Sequence, residues 1–248
     1  MPSRYFMLSG APLSRLTREA ANTSPSLPTP NCTGKGPPPC AGEAEAADCF
    51  ASGTPVTTIT GEKPVETLEV GDRVLTYEHG LSTVRWIGST EVDLSAFNRD
   101  LVPIVIEPGA MGKGHPAERV VVSPSHRIFW TGAIAELLFD HPEVLIPARF
   151  LVNKTTIRRA TEMDRVTYWH FMCDEHEIVY SAGLKSESYH PGTYGMNGLS
   201  DAARQELLTL FPEVMSFDPK SAVDTARPTL RYHEVEVLRD LLGTRLHA

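Results

Sequence analysis

Residues 49–77 read CFASGTPVTTITGEKPVETLEVGDRVLTY, and the chain becomes rich in short β-prone segments at this point. Runs such as PVTTI and RVLTY combine Val, Thr and aromatic residues, and turn-forming residues such as TGEK separate them. Similar short runs recur as far as EIVYS, with no long helical segment between them. This pattern predicts an all-β domain, either sandwich-like or closed on itself.

The segments on either side of this region have a different composition. Residues 1–48 are dominated by Pro, Gly and Ser after a short amphipathic piece, and such a segment buries too little apolar surface to fold. After about residue 192 the pattern becomes helical, with Ser200 as an N-cap and Gly243 ending a second helix. We therefore predict a disordered leader over 1–48, a β domain over 49–192 and a helical C-terminal extension over 193–248. Its two short helices are expected to pack on the β domain.

Composition and charge exclude several functional classes. The chain is 41% hydrophobic and 22% charged, which is typical of a globular protein. Its net charge is −8 and it has no run of Lys or Arg, so we expect no nucleic acid as a partner. No apolar stretch approaches the ~20 residues of a transmembrane segment. The N-terminus has only YFML where a signal peptide carries ~7–15 apolar residues, which leaves a cytoplasmic location or export by another route.

The cysteines predict neither a disulfide framework nor a metal site. They are Cys32, Cys40, Cys49 and Cys173, too few for a disulfide scaffold in a chain of this length. Cys32 and Cys40 bracket TGKGPPP without histidines at ligand spacing, so we interpret them as free thiols. Cys173 lies between His170 and His176, but the nearby carboxylates are in the turn itself. No metal or other cofactor is predicted.

Cys49 stands at the border between the leader and the β domain. Three interpretations of this cysteine compete. It is a small packing residue, half of a disulfide, or a nucleophile placed where the chain is cut.

Three separated segments together resemble the Hedgehog/intein, or Hint, domain family, and in particular its bacterial intein-like branch. Residues 49–77 begin with the cysteine and contain GT and VETLEVGDRVLT. Residues 119–130 read RVVVSPSHRIFW and match the family's Thr/Ser-x-x-His motif at Ser123 and His126. Residues 166–192 are similar to the strand pair that closes the family fold. The resemblance implies a horseshoe-like β domain.

In this family the first cysteine attacks the carbonyl of the preceding peptide bond, here Asp48–Cys49. The product is a thioester that links Asp48 to the side chain of Cys49. The departing amide nitrogen needs a proton donor, and a histidine that titrates near neutrality suits that role. The resemblance assigns this role to His126, and to Ser123 a hydrogen bond with the scissile peptide. Both side chains can reach one site only if the strand is kinked at Pro124.

The third segment contains two further candidate site residues, His170 and His176. The resemblance assigns them to the thioester step or to its resolution, and the alternative is a structural hydrogen-bonded pair. The sequence CDEH is typical of a turn, which would bring the two histidines face to face across a hairpin. Asp72, in VGDRV, matches the family and is interpreted as a residue that fixes a turn.

The chain departs from the splicing members of the family. A splicing intein ends in His-Asn followed by Cys, Ser or Thr, whereas the first Asn after SAGL is Asn197, and Met196 precedes it. We therefore expect N-terminal cleavage without splicing, in a single-turnover, autocatalytic reaction. The substrate is the chain's own N-terminal segment, and water or a small nucleophile is the acyl acceptor.

Two other functional classes remain open. The first is a catalytically inactive Hint-fold interaction module of a bacterial cell-surface or secreted protein. The second is a cysteine hydrolase that acts on other molecules. The cysteine of a papain-like enzyme opens a long helix, whereas Cys49 leads into strands, which disfavours the second class.

Overall fold

The computed structural model describes residues 48–94, 99–190, 199–210 and 226–242. The leader up to residue 47 lies outside the described residues, and so do Asn197 and Gly243. Strands dominate the described part, so the prediction of an all-β domain is confirmed. The sheets are not closed. Of the two alternatives predicted from the sequence, a domain closed on itself is therefore wrong.

The elements are numbered in chain order. The strands are β1 Phe50–Ala51, β2 Pro55–Thr58, β3 Gly61–Pro64, β4 Arg73–Thr76, β5 Gly80–Thr83, β6 Trp86–Asp93, β7 Ile104–Ile106, β8 Val120–Val122, β9 Arg127–Thr131, β10 Glu143–Pro147, β11 Ile157–Arg159, β12 Arg165–Met172, β13 Ile178–Ser181 and β14 Leu184–Glu187. The helices are α1 Ala133–Phe139, α2 Ala148–Leu151, α3 Asp201–Leu210 and α4 Tyr232–Leu242, and 3-10 turns occupy Val65–Thr67 and Arg99–Leu101. No described helix has the length and apolar character needed to span a membrane.

The first sheet has the strand order β11-β7-β8-β1-β12-β6. The short strand β1 lies inside it, and Phe50 pairs antiparallel with Val122 of β8 and with Trp169 of β12. Residue numbers increase in opposite directions on antiparallel strands. Cys49, which precedes Phe50, therefore comes opposite Ser123 on one side and His170 on the other. The register of one short strand thus gives the cysteine its two neighbours.

The second sheet has the order β10-β9-β14-β13-β4-β2-β3, with β5 paired to β4. Ser186 of β14 pairs with Ile128 of β9, which brings Arg127 opposite Glu187. The strands β12 and β13 belong to different sheets. The expected hairpin between His170 and His176 is therefore wrong, because the connection crosses from one sheet to the other.

The main hydrophobic core contains side chains from both sheets. Phe50 of β1 stacks on Phe171 of β12 with ring centroids 5.7 Å apart, and Val74, Ile104 and Ile128 are fully buried in the same cluster. Burial of such side chains supplies about 1.5–3 kcal/mol each relative to exposure. Phe50 directly follows Cys49, so this packing also anchors the cysteine.

The described helices after residue 192 pack on the strands. Ser200 caps α3, since its Oγ accepts a hydrogen bond from the N–H of Ala203 at 3.3 Å. Ala203 and Leu207 of α3 join a second cluster with Trp86 of β6. Helix α4 buries apolar side chains against β10. The short helices thus gain their stability from tertiary contacts.

We predict that Leu207→Ala lowers the free energy of unfolding of the full chain by about 2–5 kcal/mol, because Leu207 is fully buried. Urea denaturation measures the change. The exposed neighbour Glu206 provides the control, and Glu206→Ala is expected to have little effect. Equal stability of the two variants would show that α3 does not contribute to the folded domain.

Candidate active site

Ser123, the residue that follows β8, holds the peptide bond between Asp48 and Cys49. The N–H of Cys49 donates a hydrogen bond to Oγ of Ser123 at 3.1 Å. The N–H of Ser123 in turn donates to the carbonyl oxygen of Cys49 at 2.9 Å. Ser123 therefore contacts the amide nitrogen of the bond at which the sequence predicts cleavage.

The thiol of Cys49 lies against His170 of β12. Its Sγ is 3.3 Å from Nδ1 and 3.5 Å from Nε2 of the imidazole, and both residues are buried. Burial and the charge of Asp48 raise the pKa of the Cys49 thiol well above its usual value. Burial lowers the pKa of His170 to about 4, although a hydrogen bond with the backbone of Asp48 opposes the shift. The resting pair is thus a neutral thiol beside a neutral imidazole.

His126 follows a turn that contains Pro124 and precedes β9. Its backbone N–H donates to the carbonyl of Ser123 at 3.2 Å, and its ring makes a T-shaped contact with the ring of Phe50, with centroids 4.4 Å apart. Neither ring nitrogen has a hydrogen-bond partner among the described residues. Burial and the charge of Arg127 lower the pKa of His126 to about 3. The near-neutral titration expected of the proton donor is therefore not found.

A buried ion cluster, which the sequence did not predict, surrounds the side chain of Asp48. Nη2 of Arg127 lies 3.0 Å from Oδ2 of Asp48 and 2.6 Å from Oε2 of Glu187. Nε of Arg127 also donates to Oε1 of Glu187 at 2.6 Å. We call Asp48, Arg127 and Glu187 the ion cluster. No local pattern identifies it, because its members come from three separate segments.

The ion cluster contains two carboxyl groups and one guanidinium. Burial and the charge of Glu187 raise the pKa of Asp48 to about 7, against the opposing effect of Arg127. Burial likewise raises the pKa of Glu187, and Arg127 again opposes the shift. One cation therefore does not fully compensate two buried carboxylates.

The family model for the Hint domain matches residues 48–193, more than half of the 248 residues. The chain belongs to the Hint domain family. The Hint-type β fold expected from the resemblance is confirmed, and family membership supports a self-processing domain. The match includes Asp48 and Cys49 and ends before α3 and α4.

Several solved structures are similar to this Hint domain. The bacterial intein-like domain from Clostridium thermocellum is 14% identical, with 58% of this chain and 100% of that chain covered and a TM-score of 0.37. The gp41-1 intein is 14% identical, with coverages of 56% and 96% and a TM-score of 0.35. A DnaB intein from Synechocystis sp. PCC 6803 is 9% identical, with coverages of 57% and 99% and a TM-score of 0.37. A comparison with curated protein sequences found no match.

The structure separates His176 from His170. Nε2 of His176 lies 3.1 Å from Oε2 of Glu187, and its Nδ1 accepts a hydrogen bond from the N–H of Ala226 at 3.0 Å. Since Nδ1 accepts, the proton of the neutral ring is on Nε2. Burial and the charge of Arg127 lower the pKa of His176 to about 4. His176 thus supports the ion cluster, whereas His170 contacts the thiol.

Two further residues considered from the sequence are Asp72, which lies in a turn, and Cys173, which lies in the main hydrophobic core. Oδ2 of Asp72 accepts hydrogen bonds from the N–H of Glu69 at 2.8 Å and from Lys63 at 2.6 Å, within a turn. Cys173 is a buried free cysteine. Within the described ranges, no group of three or more His, Cys, Asp or Glu side chains is arranged to hold a metal ion.

Tyr189 is a site residue that sequence reasoning missed. Its ring makes an edge contact with His170, with centroids 5.4 Å apart. Its buried hydroxyl has no hydrogen-bond partner among the described residues. Burial, together with the charges of Asp48 and Cys49, raises its pKa. The position of Tyr189 just after β14 carried no signal in the sequence, because its contact with His170 depends on how the two sheets meet.

The titration of Asp48 is testable in the Cys49→Ala chain, in which the candidate nucleophile is absent. A carboxyl group whose pKa is raised on folding stabilises the native state fully below its unfolded pKa of 3.8, and this contribution is lost as the pH rises through about 7. We predict that the stability difference between Cys49→Ala and Cys49→Ala/Asp48→Asn falls by on the order of 4 kcal/mol over this range. Urea denaturation at each pH measures it. A difference that does not change with pH would contradict the prediction.

Proposed function

We propose that this Hint domain cleaves its own chain at Asp48–Cys49 by an N–S acyl shift, without splicing. One observation carries the proposal. The amide nitrogen of this bond contacts Ser123, and the adjacent thiol contacts His170, within one buried site. A peptide bond and a nucleophile that are held together in this way need little further ordering before reaction.

The first step forms the bond between sulfur and carbon. Sγ of Cys49 attacks the carbonyl carbon of Asp48. This closes a five-membered ring that consists of this carbon and N, Cα, Cβ and Sγ of Cys49. His170 accepts the thiol proton as the attack proceeds, since its neutral ring lies 3.3 Å from Sγ. The pKa of the thiol is raised, so deprotonation accompanies attack instead of preceding it.

The second step breaks the bond between carbon and nitrogen. The amide nitrogen of Cys49 leaves as a free amine and takes up the proton that His170 received from the thiol. His126 is the proposed relay, since a neutral imidazole can accept this proton on one ring nitrogen while it gives up the proton of the other. Ser123 keeps this nitrogen oriented through the hydrogen bond to its Oγ. In sum, one proton moves from sulfur to nitrogen, and the acyl group of Asp48 moves from nitrogen to sulfur.

The third step releases the leader. Water, a small thiol, an amine or an alcohol attacks the thioester, the carbon–sulfur bond breaks, and the Cys49 thiol regains its proton. The acceptor has to reach a buried site, since Cys49 and Asp48 are almost fully covered. A cavity of about 420 Å³, lined in part by Arg127 and Thr229, adjoins the residues that hold Asp48. It has room for a small acceptor.

The second candidate function is a catalytically inactive interaction module of a bacterial cell-surface or secreted protein. One observation favours it. Burial keeps the thiol of Cys49 protonated and lowers the pKa of both His126 and His170. Such a site is stable at rest, and a chain that has lost activity would keep it as part of its core.

We predict that the freshly purified chain releases a fragment that begins at Cys49, and that added dithiothreitol accelerates the release. Intact-mass spectrometry and a denaturing gel measure the products. Cys49→Ala abolishes the release because the nucleophile is lost. Cys173→Ala is the matched control, since Cys173 is also a buried cysteine, and this variant is expected to cleave like the unchanged chain. An uncut chain with and without thiol would favour the interaction module.

We predict that His170→Gln slows thiol-dependent release about a hundredfold, because a proton acceptor is lost from the thiol. Ser123→Ala should slow it about tenfold, because the amide nitrogen loses its hydrogen bond. The exposed His141 provides a control, and His141→Gln should have no effect. Circular dichroism verifies that each variant is folded. Unchanged rates in the folded variants would exclude these two roles while leaving cleavage by Cys49 in place.

A further inference from the structure

The side chain of Asp48 is held as specifically as its carbonyl group. Only 5% of its surface is exposed, and Oδ2 accepts a hydrogen bond from Nη2 of Arg127 at 3.0 Å. Asp48 is the last residue of the segment to be released, whereas Arg127 remains in the Hint domain. The contact therefore connects the domain to the acyl residue that leaves. A buried charged contact of this kind discriminates strongly between side chains.

The guanidinium of Arg127 is fixed by partners on its other sides. Its Nε donates to Glu187, and its Nη1 donates to Oγ1 of Thr229 at 3.1 Å. The planar fork of an arginine that is bound at several points has one orientation. Nη2 is thereby presented to the residue that precedes the nucleophile.

Thr229 belongs to a segment that the Hint family model does not cover. The N–H of Leu145 donates to the carbonyl of Pro228, and the N–H of Leu230 donates to the carbonyl of Leu145, each at 2.8 Å. These two bonds place Thr229 beside strand β10. Ala226 of the same segment binds His176, which in turn contacts Glu187. The segment 226–230 therefore completes the shell around Arg127.

We infer that Arg127 and Thr229 form a side-chain subsite of the Hint domain for residue 48. This subsite selects a short side chain with a hydrogen-bond-accepting oxygen, and it prefers Asp to Asn. This inference rests on the proposed cleavage at Asp48–Cys49. The subsite acts by fixing the acyl residue, so that the carbonyl of Asp48 stays beside Sγ of Cys49. Arg127 and Thr229 are positioning residues, and the C-terminal segment takes part in processing.

The alternatives at position 48 fail for different physical reasons. Alanine removes one of the two carboxylate partners of Nη2 of Arg127, so only Glu187 remains and a buried charged hydrogen bond is lost. Lysine brings a second cation against the guanidinium. Glutamate keeps the charge but moves it away by one methylene. Asparagine keeps the length and one acceptor oxygen, and a neutral acceptor makes a weaker hydrogen bond than a carboxylate does.

The test compares dithiothreitol-dependent release among full-length chains that differ at position 48. Relative to Asp48, we expect Asp48→Asn to slow release about threefold, and Asp48→Ala and Asp48→Lys to slow it at least about tenfold. Asp48→Glu should fall between Asn and Ala. Asp174→Ala is the control, because Asp174 forms an exposed ion pair with Arg85, and it should not change the rate. Thermal unfolding verifies that every chain compared is folded at the assay temperature.

A second variant separates selection from a general structural effect. Thr229→Val removes the hydroxyl that fixes Arg127 and nearly keeps the shape of the side chain. We expect it to reduce the ratio between the release rates with Asp and with Ala at position 48 at least about threefold, whereas a structural defect would slow both chains equally. An unchanged ratio would overturn the role of Thr229.

The inference and the proposed function fail in different ways. Equal release rates of all position-48 variants would overturn the subsite and leave cleavage by Cys49 in place. If no chain is cleaved, the proposed function fails, and the subsite is then tested in the Cys49→Ala chain by NMR of the Arg127 side-chain N–H groups. Asp48→Ala should shift these signals and Asp174→Ala should not. Absence of a shift would overturn the subsite.

Discussion

The position of β1 between β8 and β12 is the constraint on which the site depends. This strand has only two residues, yet its register brings Cys49 opposite Ser123 on one side and His170 on the other. Packing of Phe50 against Phe171 holds the register, since a shift by one residue would turn the ring away from the core. The hydrophobic core and the candidate active site are thus stabilised by the same short strand.

Burial determines the charge state of the site. His126 and His170 are neutral because desolvation disfavours the imidazolium, and the thiol of Cys49 is protonated for the same reason. The formal charges are concentrated instead in the ion cluster around Arg127. In the proposed reaction this separation leaves proton transfer to neutral groups beside the bond, while the charged groups hold the acyl residue. A neutral resting site also limits premature attack by the thiolate.

The C-terminal extension makes polar contacts around Arg127 in addition to the apolar packing of its helices. Ala226 and Thr229 contact His176 and Arg127, so residues outside the family match reach the surroundings of the Asp48–Cys49 bond. In contrast, α3 packs on β6 through apolar contacts in the second cluster. The two parts of the extension therefore act differently: one contributes to stability, and in our inference the other contributes to the choice of the acyl residue.

Strand periodicity and local turn chemistry in the sequence were enough to predict the β architecture. The resemblance to the Hint family identified Cys49 as the candidate nucleophile and Ser123 and His126 as the residues that assist it. The sequence did not reveal which histidine meets the thiol. It also did not reveal the ion cluster or the low pKa of His126. Cys49 and His170 are 121 positions apart, and Asp48 and Arg127 are 79 apart. Only the tertiary structure decides such contacts, because strand register and desolvation arise when both sheets are assembled.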